Sequence, residues 1–162
     1  MARLQFEGID EYASQLAGFV EKSEGMIKRA VYDGAAVMMS EMKNQIAALP
    51  ELKDKFFSPY EIPIKGVTAS EKRGLMTGVG LAKMRNDGGL VNTKIGFEGY
   101  NGVKTKKFPS GQPNVLIARA VNSGSSFRVK IPFVSRAVKA AKEKAEAAMA
   151  ARFDADTKEM LK

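Results

Sequence analysis

The sequence predicts an α+β fold in which a small, mostly antiparallel sheet of about four strands packs against a long N-terminal helix and a C-terminal helix. Apolar residues recur with a period near 3.6 from Ile9 to Leu49, and again, on an alanine-rich and charged background, after Pro132. Between these two stretches, short segments alternate apolar and polar residues and are separated by glycine-rich turns, the pattern of half-buried antiparallel strands. No internal repeat or low-complexity linker divides the 162 residues, so the chain reads as a single domain, 1–162. A chain of this length buries roughly 70% of the surface that its unfolded form exposes.

The first strand is expected at Arg3–Glu7, with Leu4 and Phe6 on one face and Arg3, Gln5 and Glu7 on the other. Gly8 ends it, and Asp10 offers an N-cap to the long helix, with Glu11 in the first turn where the helix dipole favours negative charge. Ser23, Glu24 and Gly25 interrupt the helical stripe, and a glycine costs ~1 kcal/mol in a helix interior, so a kink or break is expected there. Gly34, Ala35 and Ala36 form a small-residue patch that lets another element approach closely, and the alanine-rich C-terminal helix is the obvious one. Met38, Met39 and Met42 follow the stripe and read as core filler.

Periodicity is lost at Pro50. Pro59 and Pro63 exclude a helix or a central strand, yet Phe56, Phe57, Tyr60, Ile62 and Ile64 make the stretch too apolar for a solvated loop. The segment at about 50–67 therefore reads as an irregular apolar arm, packed either on a neighbouring subunit or back over its own sheet, and those five residues are the subunit-interface candidates. Thr68 and Glu71 have capping-box spacing and start a helix of one or two turns ended by Gly78. Val79, Leu81 and Lys83 then alternate with Gly80, Ala82 and Met84, the turn-rich Arg85 to Gly89 follows, and Leu90 to Glu98 alternates again. This predicts an antiparallel hairpin. Gly78 and Gly80 precede a strand and lack both the dinucleotide fingerprint and the phosphate-loop ending, so they carry no nucleotide reading. Residues 99–113 read as a mobile basic loop.

Three elements follow between Asn114 and Val138. Leu116, Ile117, Ala120 and Val121 sit at helical spacing, and Gly124 supplies the left-handed stop. Phe127, Val129 and Ile131 alternate with Arg128 and Lys130 as a half-buried strand, and Pro132 begins the final helix. That helix carries Phe133, Ala137, Val138, Ala141, Ala145, Ala148, Met149 and Phe153 on its apolar and small positions.

Composition narrows the chemistry. Cysteine and histidine are both absent, which removes disulfides, thiolate catalysis, the commonest metal ligand and the commonest general base. No carboxylate pair has the spacing of an acid–base couple, and Ser123, Ser125 and Ser126 have no histidine to activate them and read as cap and turn residues. The chain is expected to be a binding or structural protein and not an enzyme, with no cofactor or metal. The opening residues lack the apolar core of a signal peptide, and no run approaches the ~18 apolar residues of a membrane span, so the protein is expected to work in solution with no membrane partner. The net charge of +8 is concentrated: between Gly99 and Lys142 there is no acidic residue and there are nine cations, which leaves the rest of the chain at −1. Lys104, Lys106, Lys107, Arg128 and Lys130 are the candidates for contact with a partner or with DNA, and the alternative function is that of a small basic nucleic-acid-binding protein using segment 99–142.

The run from Gly111 through Asn114-Val-Leu-Ile-Ala-Arg, Gly124, Phe127-Arg128 and Pro132-Phe133 to Val138 resembles the C-terminal signature of the gene-product-ten-like neck proteins of lambdoid tailed bacteriophages. Phe6 to Glu11, and Lys94 to Tyr100, are similar to that family's first strand and hairpin, so the likeness spans most of the chain and is weakest in the arm. Where the family more often has a proline after Phe-Arg, this chain has Val129, whose amide is free to donate in a strand. The resemblance implies a virion structural protein of the phage or prophage head–tail junction, a tail-completion protein that assembles in the host bacterial cytoplasm. Its partners would be copies of itself in a ring, expected to be hexameric, the head-closure or connector protein and the tail terminator, with non-specific contact to DNA passing through the channel. Gly124, Phe127, Arg128, Pro132 and Phe133 are the structural signature, and the family has no catalytic motif to transfer.

Overall fold

The apolar stripe that begins at Ile9 becomes one helix of 39 residues, about 58 Å long at 1.5 Å per residue. The computed structural model describes residues 9–52 and 63–160, with the side chains of this first helix described from Val20 onward. In chain order the elements are α1 (Ile9–Ala47), α2 (Ala69–Gly78), β1 (Val79–Leu81), β2 (Arg85–Asp87), β3 (Leu90–Asn92), β4 (Ile95–Phe97), α3 (Asn114–Ser123) and α4 (Phe133–Met160). The fold is α+β, as the sequence predicts, with its long N-terminal and C-terminal helices. Its four described strands form two separate antiparallel pairs instead of one sheet. The strand expected at Arg3–Glu7 lies outside the described residues.

α1 runs unbroken through Gly25, where a kink was expected. Met26 and Ala30 in the following turn are buried, and Lys28 bonds Glu24 at 2.7 Å across the glycine. Tertiary burial of an amphipathic face outweighs the loss from one glycine. The helix starts at Ile9, so Asp10 falls in its first turn and not at the cap.

α4 lies antiparallel along α1. Arg29 meets Asp156 at 2.7 Å at one end of the pair, and Ile46 shares a core with Phe133 and Ala137 at the other. Alanines 137, 141 and 145 are each 1% exposed, one every turn, and they let the helices approach closely. The facing small residue is Gly34: a Cβ there would lie 2.5 Å from Met149 Cγ and 3.2 Å from the Ala145 carbonyl oxygen. The small patch thus receives the alanine-rich helix, as its composition predicts.

The predicted hairpin is present with a more exact register. β1 pairs with β4, Val79 opposite Phe97 and Leu81 opposite Ile95, while β2 pairs with β3, Arg85 opposite Asn92 and Asp87 opposite Leu90. Three residues, 82–84, separate β1 from β2, whereas two, 93–94, separate β3 from β4. The extra residue acts as a bulge and splits the ladder in two. The turn itself is Gly88-Gly89, with φ of +64° and +93°. Two successive positive φ values are what a tight two-residue hairpin turn requires, and they leave Arg85–Asp87 to form strand where a longer turn was expected.

Helix ends, loops and strands close over one core of Met42, Ile46, Leu49, Val67, Leu75, Val79, Ile117, Ala118, Val121, Ile131, Phe133 and Ala137. Phe97 packs edge-on against Phe133 at 6.0 Å between ring centroids. Met42 is core, as the methionine stripe implies, while Met38 and Met39 are half-buried.

The α1–α4 contact makes a signed prediction. Gly34→Leu improves helix propensity by about 1 kcal/mol but drives a side chain into Met149 and the α4 backbone, an overpacking cost of about 1–3 kcal/mol. Urea denaturation is expected to show lower stability for the variant; an increase would mean that the helices do not touch at this position.

Candidate functional site

The acid-free segment folds into three pieces around a cleft. The first is the stretch read as a mobile loop, which is instead a backbone-bonded hairpin. Asn101 N donates to Gln112 O at 2.9 Å, Gln112 N donates to Val103 O at 3.0 Å, and Thr105 and Phe108 exchange both backbone bonds at 3.1 Å. The Thr105 hydroxyl also accepts from Phe108 N, closing the tip on which Lys106 and Lys107 stand exposed. Lys107 Nζ lies 5.7 Å from the centroid of the Phe108 ring, a cation–π contact.

The second piece is α3. Asn114 opens it, buried, with its backbone N–H donating to Gly99 O at 3.0 Å and its side-chain amide to Glu98 O at 2.8 Å. Ile117, Ala118 and Val121 face the core, whereas Val115 and Leu116 are exposed. Gly124 ends the helix at φ +80°, ψ 170°, a region that only glycine enters readily, and Gly124 N donates to Ala120 O at 3.0 Å. From α3, the Asn122 side chain accepts a bond from Val134 N at 3.1 Å and so satisfies an open amide in the first turn of α4.

The third piece is the stretch expected to be a half-buried strand with Phe127 inward and Arg128 outward. The structure reverses both: Phe127 is 58% exposed and Arg128 only 3%. Ser125 and Arg128 exchange backbone bonds at 2.9 and 3.3 Å, making a tight turn that rotates the chain before the alternation begins at Val129. No strand forms over 127–131; only the burial alternation survives, with Lys130 out and Ile131 in. Val129 N does donate, to Ile64 O at 2.8 Å, and Ile64 N donates to Phe127 O at 2.8 Å. A single parallel bridge therefore joins this stretch to the end of the arm.

Burial of Arg128 removes it from the candidates for DNA or partner contact. Its Nη2 lies 2.8 Å from Glu71 Oε1, its Nη1 3.3 Å from Glu71 Oε2, and Nη1 also donates to Gly66 O at 2.9 Å. Glu71 is also 3% exposed and is the capping-box glutamate of α2, its Oε2 accepting from Thr68 N at 2.9 Å while Thr68 Oγ1 accepts from Glu71 N at 3.2 Å. One carboxylate thus caps a helix and neutralises a buried guanidinium, so the two buried charges compensate each other, although Arg128 Nε is buried without a hydrogen-bond partner. The sequence carries the signal for Glu71 as a cap but none for its pairing with a residue 57 positions away.

Between these pieces lies a cleft of about 420 Å³, walled by Val103, Phe108, Leu116, Ala120 and Phe127, with Glu71 and Arg128 at its base and Lys104 on its lining. Of the candidate residues, this cleft brings together Lys104, Phe127 and Arg128. Lys130 lies apart, in a second cavity of about 380 Å³ that Lys65 and Arg136 also line. Phe133 is a core residue, and Pro132 immediately precedes α4. Ile64 is tied to its own chain through residues 127–129, and Phe56, Phe57, Tyr60 and Ile62 lie outside the described residues. Among the described residues there is no group of three or more acidic side chains placed to hold a metal ion, and no helix is long and apolar enough to cross a membrane. Comparisons of the chain with family models, curated proteins and solved structures each found no match.

The buried pair is testable by a double-mutant cycle. Arg128→Met alone leaves Glu71 buried without its partner and is expected to cost about 3–5 kcal/mol in urea denaturation. Adding Glu71→Gln, which keeps the cap to Thr68, is expected to recover part of that loss, whereas strictly additive effects would mean that the two side chains do not interact.

Proposed function

We propose that this chain is a structural protein of a phage or prophage head–tail junction, assembling as a closed ring, expected to be hexameric, between the head-closure and tail-terminator proteins around the DNA channel. The observation that carries the reading is the surface around the cleft. Phe127, Leu116 and Val115 are exposed at 58%, 43% and 53% beside a basic hairpin, on a framework held rigid by the Arg128–Glu71 pair. Apolar surface rimmed by charge is the composition of a protein-facing patch. In a closed ring each subunit offers one surface to the neighbour ahead and a different one to the neighbour behind, so an asymmetric patch of this kind suits it. The order of resembling sequence motifs along the chain, from Phe6–Glu11 to the Phe-Arg and Pro-Phe steps, supports the same reading.

Light scattering and negative-stain imaging of the purified chain, alone and with the head-closure and tail-terminator proteins, are expected to find rings. Monomer alone at the highest soluble concentration, with no association on mixing, removes the proposal.

Nucleic-acid binding is the second reading, favoured by the exposed side chains of Lys104, Lys106, Lys107, Arg119 and Lys130 within a segment free of acid. Duplex DNA affinity is then expected to fall with salt at a log–log slope of roughly −0.9 per phosphate contacted. No measurable binding at low salt discards it.

A further inference from the structure

We propose that the cleft between the 101–112 hairpin, α3 and the Phe127–Arg128 turn is a docking site for an acidic segment of a partner protein that inserts large apolar side chains. The inference deepens the assembly reading, on which it rests for the partner being a protein, and it names the chemistry of that partner.

Shape and wall chemistry come first. A volume of about 420 Å³ is within the range of specific binding sites, and the wall is mainly apolar, with Val103 and Phe108 from the hairpin, Leu116 and Ala120 from α3 and Phe127 from the turn, beside the polar Thr105 and Gln112. Leu116 and Phe127 on the lining are themselves 43% and 58% exposed, so apolar side chains of the wall stay open to a partner's surface. The walls are preorganised. The hairpin is closed by its own backbone bonds, α3 is pinned to the core by Ile117 and Val121, and the base is held by the buried ion pair. A partner therefore meets a formed site and not one that must be ordered on binding.

Charge selects the partner. Lys104 is on the lining, and Lys106 and Lys107 stand at the hairpin tip. Among the described residues the one carboxylate on the lining is Glu71, and both of its oxygens are engaged by Arg128 and by the Thr68 amide. The approach to the cleft is therefore positive, which favours an acidic segment and disfavours a basic one.

The test uses the full chain and fluorescein-labelled short peptides read by fluorescence anisotropy: one with a Phe-Leu centre flanked by Asp and Glu, one with the acids replaced by Lys and Arg, and one with the Phe-Leu centre replaced by Ala-Ala. The acidic apolar peptide is expected to bind saturably, and the other two about tenfold more weakly or less. Ala120→Phe, which fills the cleft, and Leu116→Gln, a milder change at a partly exposed position, are each expected to weaken binding, with circular dichroism reporting an intact fold. The triple change Lys104→Glu, Lys106→Glu and Lys107→Glu is expected to shift preference toward the basic peptide. Absence of saturable binding, equal binding of all three peptides, or binding unchanged by both cleft variants overturns the proposal. Rings that form while the acidic peptide fails to bind leave the assembly reading standing without this site. Peptide binding by a chain that never forms rings does the opposite.

Discussion

The buried contact between Arg128 and Glu71 is the constraint on which the rest of the structure depends. Two side chains, each 3% exposed, join the start of α2, the end of the arm at Gly66 and the turn after α3. Burying either charge alone would be strongly unfavourable, so each segment's native position is stable only with the other in place. The pair is tied into the backbone through the Thr68 capping box, and the bridge between Ile64 and Arg128 places the arm's return beside the last turn before α4. Local helix capping and long-range closure are thereby one network.

A rigid frame surrounds that network. α1 and α4 pack through Gly34 and a ladder of alanines, and Asp156 holds the far end by accepting from Arg29 at 2.7 Å and lying 3.3 Å from Arg152. At the near end the two helices, α2, α3 and the β1–β4 pair share the core around Ile46, Val121 and Phe133. Because Arg128 turns inward at the edge of this core, Phe127 is turned outward, and the apolar cleft lies where the two directions diverge. The proposed interaction surface is thus a consequence of the way the fold closes, and its basic character comes from the hairpin that forms one wall.

Much of this was legible in the residues. The Thr68–Glu71 spacing marked the helix start, Gly124 its successor's end, Met42 and the alanine stripe the core faces, and Gly34 the point of close approach. These signals are local, since each depends on backbone bonds or side-chain periodicity within a few residues. What misled was also local. Gly25 has the propensity of a helix breaker but sits in a turn whose neighbours are buried, and the alternation from Phe127 to Ile131 has the period of a strand whose first two residues a tight turn rotates out of phase. The lysine-rich stretch 99–113 has the composition of a loop because hairpin pairing by backbone groups leaves little trace in side-chain pattern.

The sequence by itself determined the α+β class, the two long helices, the central hairpin and the concentration of positive charge in one acid-free segment, because periodicity, capping and charge count are properties of neighbouring residues. Only the tertiary structure decided that Arg128 is an internal cation and not a surface one, that Glu71 is its partner, and that Lys104 and Phe127 share a cleft. Those outcomes depend on which distant segments meet, 57 positions apart for Arg128 and Glu71, where the desolvation of a charge and the geometry of its hydrogen bonds outweigh any local preference.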